Sequence, residues 1–335
     1  VISTAVSELL DGKTKYTRGQ GSPALCEAVA NHLMKTSNIS VSPENVLITP
    51  GAKQALLYSY MTVLNPGDEA ILLSPSWASY EPMISIIGGV PVNVPVDRKN
   101  FHPDMDAIRS SITNRTRMLM VNSPCNPTGA VYTREEIEEI VSIAIEHDLW
   151  IISDEIYSRL IWNGGEHVSP ATIEGGKERT IVISGWSKTW AMTGMRVGFL
   201  AGPEQAVRAA VKCQANSASH IPTFMMEAAR VALDCDDHVE RFSDAYRQRR
   251  KLMVQGLEDI PGLRIVNPEG AFYLFIDVSG TGMSDVEFAD GALEAGVQLI
   301  PASLITGGEG FIRVSYAASE EDIKEGISRL RSWLL

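Results

Sequence analysis

Cysteine is scarce in this chain and unpatterned. Its four thiols, Cys26, Cys125, Cys213 and Cys235, include no Cys-x-x-Cys pair and have no histidine pairs nearby. That spacing excludes a disulfide framework and a zinc site, and the thiols read as those of a reduced, cytoplasmic protein. No apolar run approaches the roughly 20 residues of a membrane span, so no membrane partner is expected; no signal peptide is visible. Basic charge is in deficit, with 29 Lys and Arg against 41 Asp and Glu and a formal net charge of -12. Such a balance argues against nucleic acid or an anionic lipid surface as the main partner. Internal repeats and low-complexity segments are missing too. The composition, 44% hydrophobic and 21% charged, is that of an ordinary soluble globular protein, and 335 residues are enough for two domains. The chain opens at Val1 rather than Met, and we expect a further segment ahead of it.

From about residue 45, short apolar runs alternate with helical stretches, the pattern of a largely parallel sheet covered by helices. Strands are expected at Val46–Thr49, Glu69–Ser74, Val90–Pro95, Met118–Asn122, Trp150–Asp154 and Thr180–Ser184, with an acidic helix from Arg134 to His147. Asn65-Pro-Gly-Asp68 and Asn126-Pro-Thr-Gly129 are turn signals. The amphipathic stretch Val239–Leu257 reads as a connecting helix, and the segments 270–277 and 310–316 read as strands of a smaller α+β unit. The expected fold class is α/β: a large domain with a mostly parallel seven-stranded sheet over 15–245, and a small α+β domain over 246–335 together with 1–14.

The most informative stretch is Ser184-Gly-Trp-Ser-Lys188-Thr-Trp-Ala-Met-Thr-Gly194-Met-Arg196-Val-Gly198. It sets one lysine among small and hydroxyl residues, eight positions before an arginine in a Gly-x-Arg-x-Gly turn. Glycines let a backbone approach a flat ligand closely. Ser184, Ser187 and Arg196 suit a phosphate, the arginine through its planar fork of donors. An amine so placed can form a Schiff base with pyridoxal phosphate. In open α/β sheets ligands sit at the carboxyl ends of strands. Asn122-Ser-Pro-Cys-Asn126-Pro-Thr-Gly129, Asp154-Glu-Ile-Tyr157 and Lys188 each follow an expected strand.

With these motifs in place, the sequence resembles the class I/II aminotransferases, fold-type-I pyridoxal-phosphate enzymes typified by aspartate aminotransferase. The resemblance runs from Tyr16 to the C-terminus. It also rests on residues 50–55 (Pro-Gly-Ala-Lys-Gln-Ala), 74–80 (Ser-Pro-Ser-Trp-Ala-Ser-Tyr), 270–273 (Gly-Ala-Phe-Tyr) and 311–316 (Phe-Ile-Arg-Val-Ser-Tyr). It implies pyridoxal 5'-phosphate as cofactor, amino acids and 2-oxo acids as substrates, and a ping-pong transfer of the amino group. Lys188 would hold the coenzyme and move the substrate Cα proton. Asp154 would face the pyridine nitrogen, Tyr157 and Asn126 the phenolic oxygen, and Trp77 the ring face. Gly51, Ala52 and Lys53, at a helix start, would meet the phosphate with Arg196 and with Ser184 or Ser187. Relatives often carry a hydroxyl three residues before the lysine, where this chain has Gly185.

Tyr16 would reach the phosphate of a neighbouring subunit, which makes a homodimer the expected assembly. Arg313 would clamp the substrate α-carboxylate. Plainer readings stand beside these: a strand-end cap for Asp154, a core or interface side chain for Trp77, packing for Tyr16, and a structural salt bridge for Arg313. Substrate choice is thinly marked. Lys53 matches the branch of aspartate and prephenate aminotransferases in which this lysine helps bind a distal carboxylate, and it reads equally well as a phosphate-side or solvated residue. Arg18 and the run Cys213–His220 depart from the usual pattern, and His220 reads as a packed or solvent-facing histidine. Aspartate or glutamate is the expected donor. A β-eliminating C–S lyase or an aromatic aminotransferase is the alternative. A coenzyme-binding regulatory module is disfavoured by the acidic charge and by the lack of a basic helix-turn-helix segment.

Overall fold

The computed structural model describes residues 1–162, 164–304 and 308–335. Seven strands form the large sheet: β1 (Val46–Thr49), β2 (Glu69–Ser74), β3 (Val90–Pro95), β4 (Thr116–Asn122), β5 (Trp150–Asp154), β6 (Thr180–Gly185) and β7 (Gly198–Ala201). Their order is β1-β7-β6-β5-β4-β2-β3. The pairs from β3 to β6 are parallel, and β7 runs antiparallel to both β6 and β1. The central strands are buried almost throughout, as strands covered by helices on both faces must be. β3 is the exposed edge and carries Pro91 and Pro95, residues that an edge tolerates because they need not donate to a further strand.

The helix after β4 shows how local sequence sets an element. Thr133 and Glu136 form a capping box at its start, and Ile137, Ile140, Val141 and Ala144 bury one face of Arg134–Glu146. The connecting helix spans Asp236–Leu257, three residues longer at its start than the sequence pattern indicated.

A second, antiparallel sheet is built from β8 (Arg264–Ile265), β9 (Tyr273–Asp277), β10 (Ile300–Pro301) and β11 (Phe311–Ser315), in the order β10-β11-β9-β8. Its core is continuous with residues that follow β5: Ile156, Tyr157, Leu160 and Trp162 pack in one cluster with Leu274, Ile276, Ile312 and Leu257. The chemistry-bearing end of β5 therefore rests directly on the small sheet.

The sequence pattern groups residues 1–14 with the small domain. Ile2–Leu10 is a helix packed against the helix Thr223–Ala232, and its Ala5 is buried in a cluster with Val46, Val182 and Phe199 of the large sheet. The apolar face of that helix found its cover beside β1 and β7, a long-range pairing that residues 1–14 do not encode.

Candidate active site

Strands β4, β5 and β6 end side by side, with Asn122 opposite Asp154 and Asp154 opposite Ile183. A cavity of about 300 Å3 opens at their carboxyl ends, lined by Lys188, Asp154, Tyr157, Asn126, Arg196 and Arg313, among others. Residues far apart in sequence thus converge where an open α/β sheet places its ligands.

Asp154 is 4% exposed. Its Oδ2 accepts a 2.8 Å hydrogen bond from the Tyr80 hydroxyl, and its Oδ1 accepts one of 3.2 Å from the Ile156 amide. Burial raises its pKa to about 6, against the pull of those two bonds and the Lys188 charge. The Asn122 side-chain Nδ2 donates to the Asp154 backbone carbonyl at 3.0 Å, and its Oδ1 accepts from the Asn126 backbone amide at 2.9 Å. One buried asparagine thereby ties the two loops together.

Burial also lowers the Lys188 pKa, opposed by Asp154 and reinforced by the Arg196 and Arg313 charges. Its Nζ lies 5.4 Å from the Phe272 ring centre and 5.9 Å from that of Tyr157. Burial pushes the Tyr157 phenol well above its usual pKa, so it stays protonated near neutrality. Its hydroxyl is 3.0 Å from that of Tyr273.

Arg313 projects from β11, with its guanidinium 4.8 Å from the Tyr273 ring centre and its Nη1 donating to Asn126 Oδ1 at 3.1 Å. Among the described residues no carboxylate lies within ion-pair distance of it. Trp77 lines the cavity, edge-on to Tyr80, with Lys53 Nζ 4.8 Å from its ring centre. Lys53 also donates to the Ser79 hydroxyl at 3.1 Å.

The helix Ala52–Val63 starts at the cavity with no side-chain cap. Gly51 takes φ +84°, and a Cβ there would stand 2.5 Å from Arg196 Nη2. A Cβ on Gly198 would lie 2.3 Å from the Ala52 nitrogen, and one on Gly185 would lie 2.8 Å from the Gly198 Cα. These glycines let the helix start and the Arg196 turn close into one cup. The contact with Gly198 also explains why position 185 holds no hydroxyl-bearing side chain. Gly198→Ala is expected to push the helix start outward and weaken coenzyme affinity by about tenfold or more, given the ~1–3 kcal/mol that overpacking costs; titrating apoprotein with pyridoxal phosphate checks this.

Ser187 lines the cavity, whereas the Ser184 hydroxyl donates to the Glu155 carbonyl at 3.4 Å. Tyr16 does not reach the cavity of its own chain. It is 90% exposed, with its ring edge-on to His220. His220 Nε2 accepts from the Thr17 amide, and Arg18 donates to the Gln20 side chain, so both support the loop that carries Tyr16. Gln214, in the atypical 213–220 run, is buried and donates to the carbonyls of Gly19 and Ile48. Tyr80, Tyr273, Asn122 and Thr193 also line the cavity and were not picked as site residues from sequence. Tyr80, Tyr273 and Asn122 end or begin motifs quoted above, which is the signal that could have found them.

Residues 5–330 match the family model described as aminotransferase class I and II. The chain is 40% identical over 326 residues to an aspartate/prephenate aminotransferase of Thermus thermophilus, covering 96% of this chain and 83% of that protein. The structure of Thermus thermophilus aspartate aminotransferase with maleate superimposes with a TM-score of 0.94 at 39% identity, covering 99% of this chain and 87% of that one. An aromatic aminotransferase from Pyrococcus horikoshii gives a TM-score of 0.96 at 38% identity, covering 98% and 90%. The chain belongs to the class I and II aminotransferases, enzymes that exchange amino groups between amino and 2-oxo acids with pyridoxal phosphate.

Proposed function

We propose that this aminotransferase takes its amino group from an acidic L-amino acid, aspartate or glutamate, and that the cavity residues divide the work as follows. The donor set fits pyridoxal phosphate: a half-buried amine, a buried carboxylate, and a glycine-lined cup holding a helix start and an arginine. Lys188 would be the attachment point. Asp154 would hold an anion against the ring nitrogen, and Tyr157 and Asn126 would hydrogen-bond the phenolic oxygen. Trp77 would cover a ring face, and the backbone amides of Gly51, Ala52 and Lys53, with Ser187 and Arg196, would surround the phosphate. When bound, the coenzyme supplies an electron sink for negative charge developing at the substrate Cα.

The protein's own part is proton handling and orientation. Arg313 receives the substrate α-carboxylate through its bidentate fork, with Asn126 and Tyr273 fixing its plane. Lys188, whose partial burial favours the neutral amine, takes the proton from Cα.

The acidic-donor reading rests on Lys53. Its ammonium stands over Trp77 at the cavity wall, and among the described residues it has no carboxylate partner. It is available to a distal substrate carboxylate. The Thermus thermophilus relative named for aspartate and prephenate, and the maleate complex, support this reading. The aromatic relative and the aromatic lining by Trp77 and Tyr273 support a second, aromatic donor class.

Adding single amino acids to coenzyme-loaded protein and following loss of the visible coenzyme band decides between them. L-aspartate or L-glutamate should bleach the band fastest. Lys53→Met should raise KM for these donors about tenfold, which is ~1.4 kcal/mol, and leave that for L-phenylalanine nearly unchanged. Bleaching by aromatic amino acids alone would overturn the acidic-donor reading.

We propose further that the enzyme works as a homodimer in which Tyr16 enters the neighbouring site. Its exposure and its absence from the cavity of its own chain support this. We place the domain boundary within Asp236–Leu257, with a large domain up to about residue 245 and a small one from 246. In support, Met253, Val254 and Leu257 pack with the small-sheet cluster.

A further inference from the structure

His102 lies in the connection that follows β3, outside the cavity. Its Nδ1 is 2.8 and 2.9 Å from the two carboxylate oxygens of Glu136, and its Nε2 is 3.2 Å from Glu269 Oε2. Carboxylates only accept, so both ring nitrogens donate only when the imidazole carries two protons. The geometry therefore selects an imidazolium between two anions.

Each anion is fixed in turn. Glu136 Oε2 accepts from the Thr133 amide at the start of Arg134–Glu146. Glu269 Oε2 accepts from the Val131 amide. The amides of Glu269 and Gly270 both donate to the Gly129 carbonyl at 2.8 Å. This junction joins the Asn126–Gly129 loop to the chain that enters β9. The residue before His102 adds a second tie: Phe101 is buried edge-on against Phe275 of β9 and Phe311 of β11. Arg98 donates to the Glu309 carbonyl, and Arg264 donates to the Arg98 carbonyl. β9 carries Tyr273, and Arg313 on β11 sits opposite Phe275.

We propose that His102, clamped as an imidazolium between Glu136 and Glu269, is a positioning residue for the substrate carboxylate: it holds β9 and β11, and so Tyr273 and Arg313, in register with Asn126. This rests on the reading of Arg313 as the carboxylate clamp. The groups facing the ring are Glu136 from the helix after β4 and Glu269 from the entry to β9. Tyr132 packs 6.1 Å from it, and the Arg250 charge acts on Glu269 from the Asp236–Leu257 helix. The hydrogen bond to Glu136, then that to Glu269, raise the His102 pKa to about 9 against a smaller opposing effect of burial. Because the folded value lies above the unfolded one, the stabilisation is complete below about pH 6.5 and is lost as pH rises through about 9.

The test measures KM and kcat for the donor found by the amino-acid scan, from about pH 7 to 10, in the parent, His102→Gln and Glu269→Gln. Melting temperature and pyridoxal phosphate affinity are followed in parallel. His102→Gln should raise KM at neutral pH about fivefold, leave kcat and coenzyme affinity within about twofold, and lose the part of the alkaline KM rise that the parent shows near pH 9. Glu269→Gln still offers an acceptor to the Val131 amide. It should move that rise to lower pH, because the imidazolium loses one of its two anions. A lowered melting temperature with unchanged KM and pH profile would reduce His102 to a structural staple and overturn the proposal. Arg313→Ala separates the two readings. If it leaves KM unchanged, the clamp reading fails; if it raises KM while both latch variants do not, the latch alone fails.

Discussion

Lys188→Ala is expected to abolish the coenzyme's covalent attachment, seen as loss of its visible band, and to cut turnover by about 10⁴-fold or more. That corresponds to ~5.4 kcal/mol of barrier at ~1.36 kcal/mol per tenfold, and positioned proton transfer alone accounts for about 10²–10⁴ of such a loss. Among the described residues lining the cavity, Lys188 is set apart as the amine that burial, Arg196 and Arg313 all push toward its neutral form. Lys53 stands at the wall beside Ser79 and Trp77 and cannot replace it. Folding should survive the change, since burying the Lys188 amine costs rather than contributes stability. Turnover within tenfold of the parent would sink the assignment of Lys188.

Asp154→Asn is expected to lower kcat by about 10²–10³-fold, the usual loss on removing a preorganised electrostatic partner, while making the apoprotein more stable at neutral pH. The buried carboxyl has its pKa raised from 3.8 to about 6, chiefly by desolvation. A raised acid pKa means that the folded state holds the proton more tightly. Stability is therefore greatest below the unfolded pKa and falls as pH rises through about 6. By about pH 8 the ionised group costs up to ~3 kcal/mol. Asn removes that cost and can still accept the Tyr80 hydrogen bond. The melting temperature of the apo variant should therefore exceed the parent's near pH 8 and converge with it near pH 4. Coenzyme binding should narrow the gap, because a cationic ring nitrogen relieves the carboxylate. An apo variant less stable than its parent at pH 8 would contradict burial as the cause, and an unchanged kcat would remove Asp154 from the chemistry.

Much of the cavity was legible because its residues follow strands directly. Asn126, Asp154, Tyr157 and Lys188 sit in short motifs after apolar runs, and any parallel sheet delivers such positions to one edge. Six large-sheet strands were readable as apolar runs between turn signals. The seventh, β7, was not: Gly198–Ala201 is short, begins inside the lysine motif, and exists as a strand only through antiparallel pairing with β1 and β6. The two serines were indistinguishable in sequence, since both flank the lysine within four residues. Only the path of the chain after β6 puts Ser187 at the cavity and turns Ser184 toward Glu155.

By itself the sequence determined the chemistry: a lysine among glycines and hydroxyls, an acid at a strand end, an arginine in a late strand, and apolar periodicities that permit an α/β sheet. These are local properties, since they depend on residue type and on spacing within one turn or strand. The tertiary structure decided everything that depends on which distant groups meet. It buried Asp154 under Tyr80 and, among the described residues, left Arg313 without a carboxylate partner. It also set the first helix against the seven-stranded sheet and closed His102 between two carboxylates 34 and 167 positions away in the chain. Burial and pairing fix pKa and orientation, and both arise from long-range contacts that no segment of this chain carries alone.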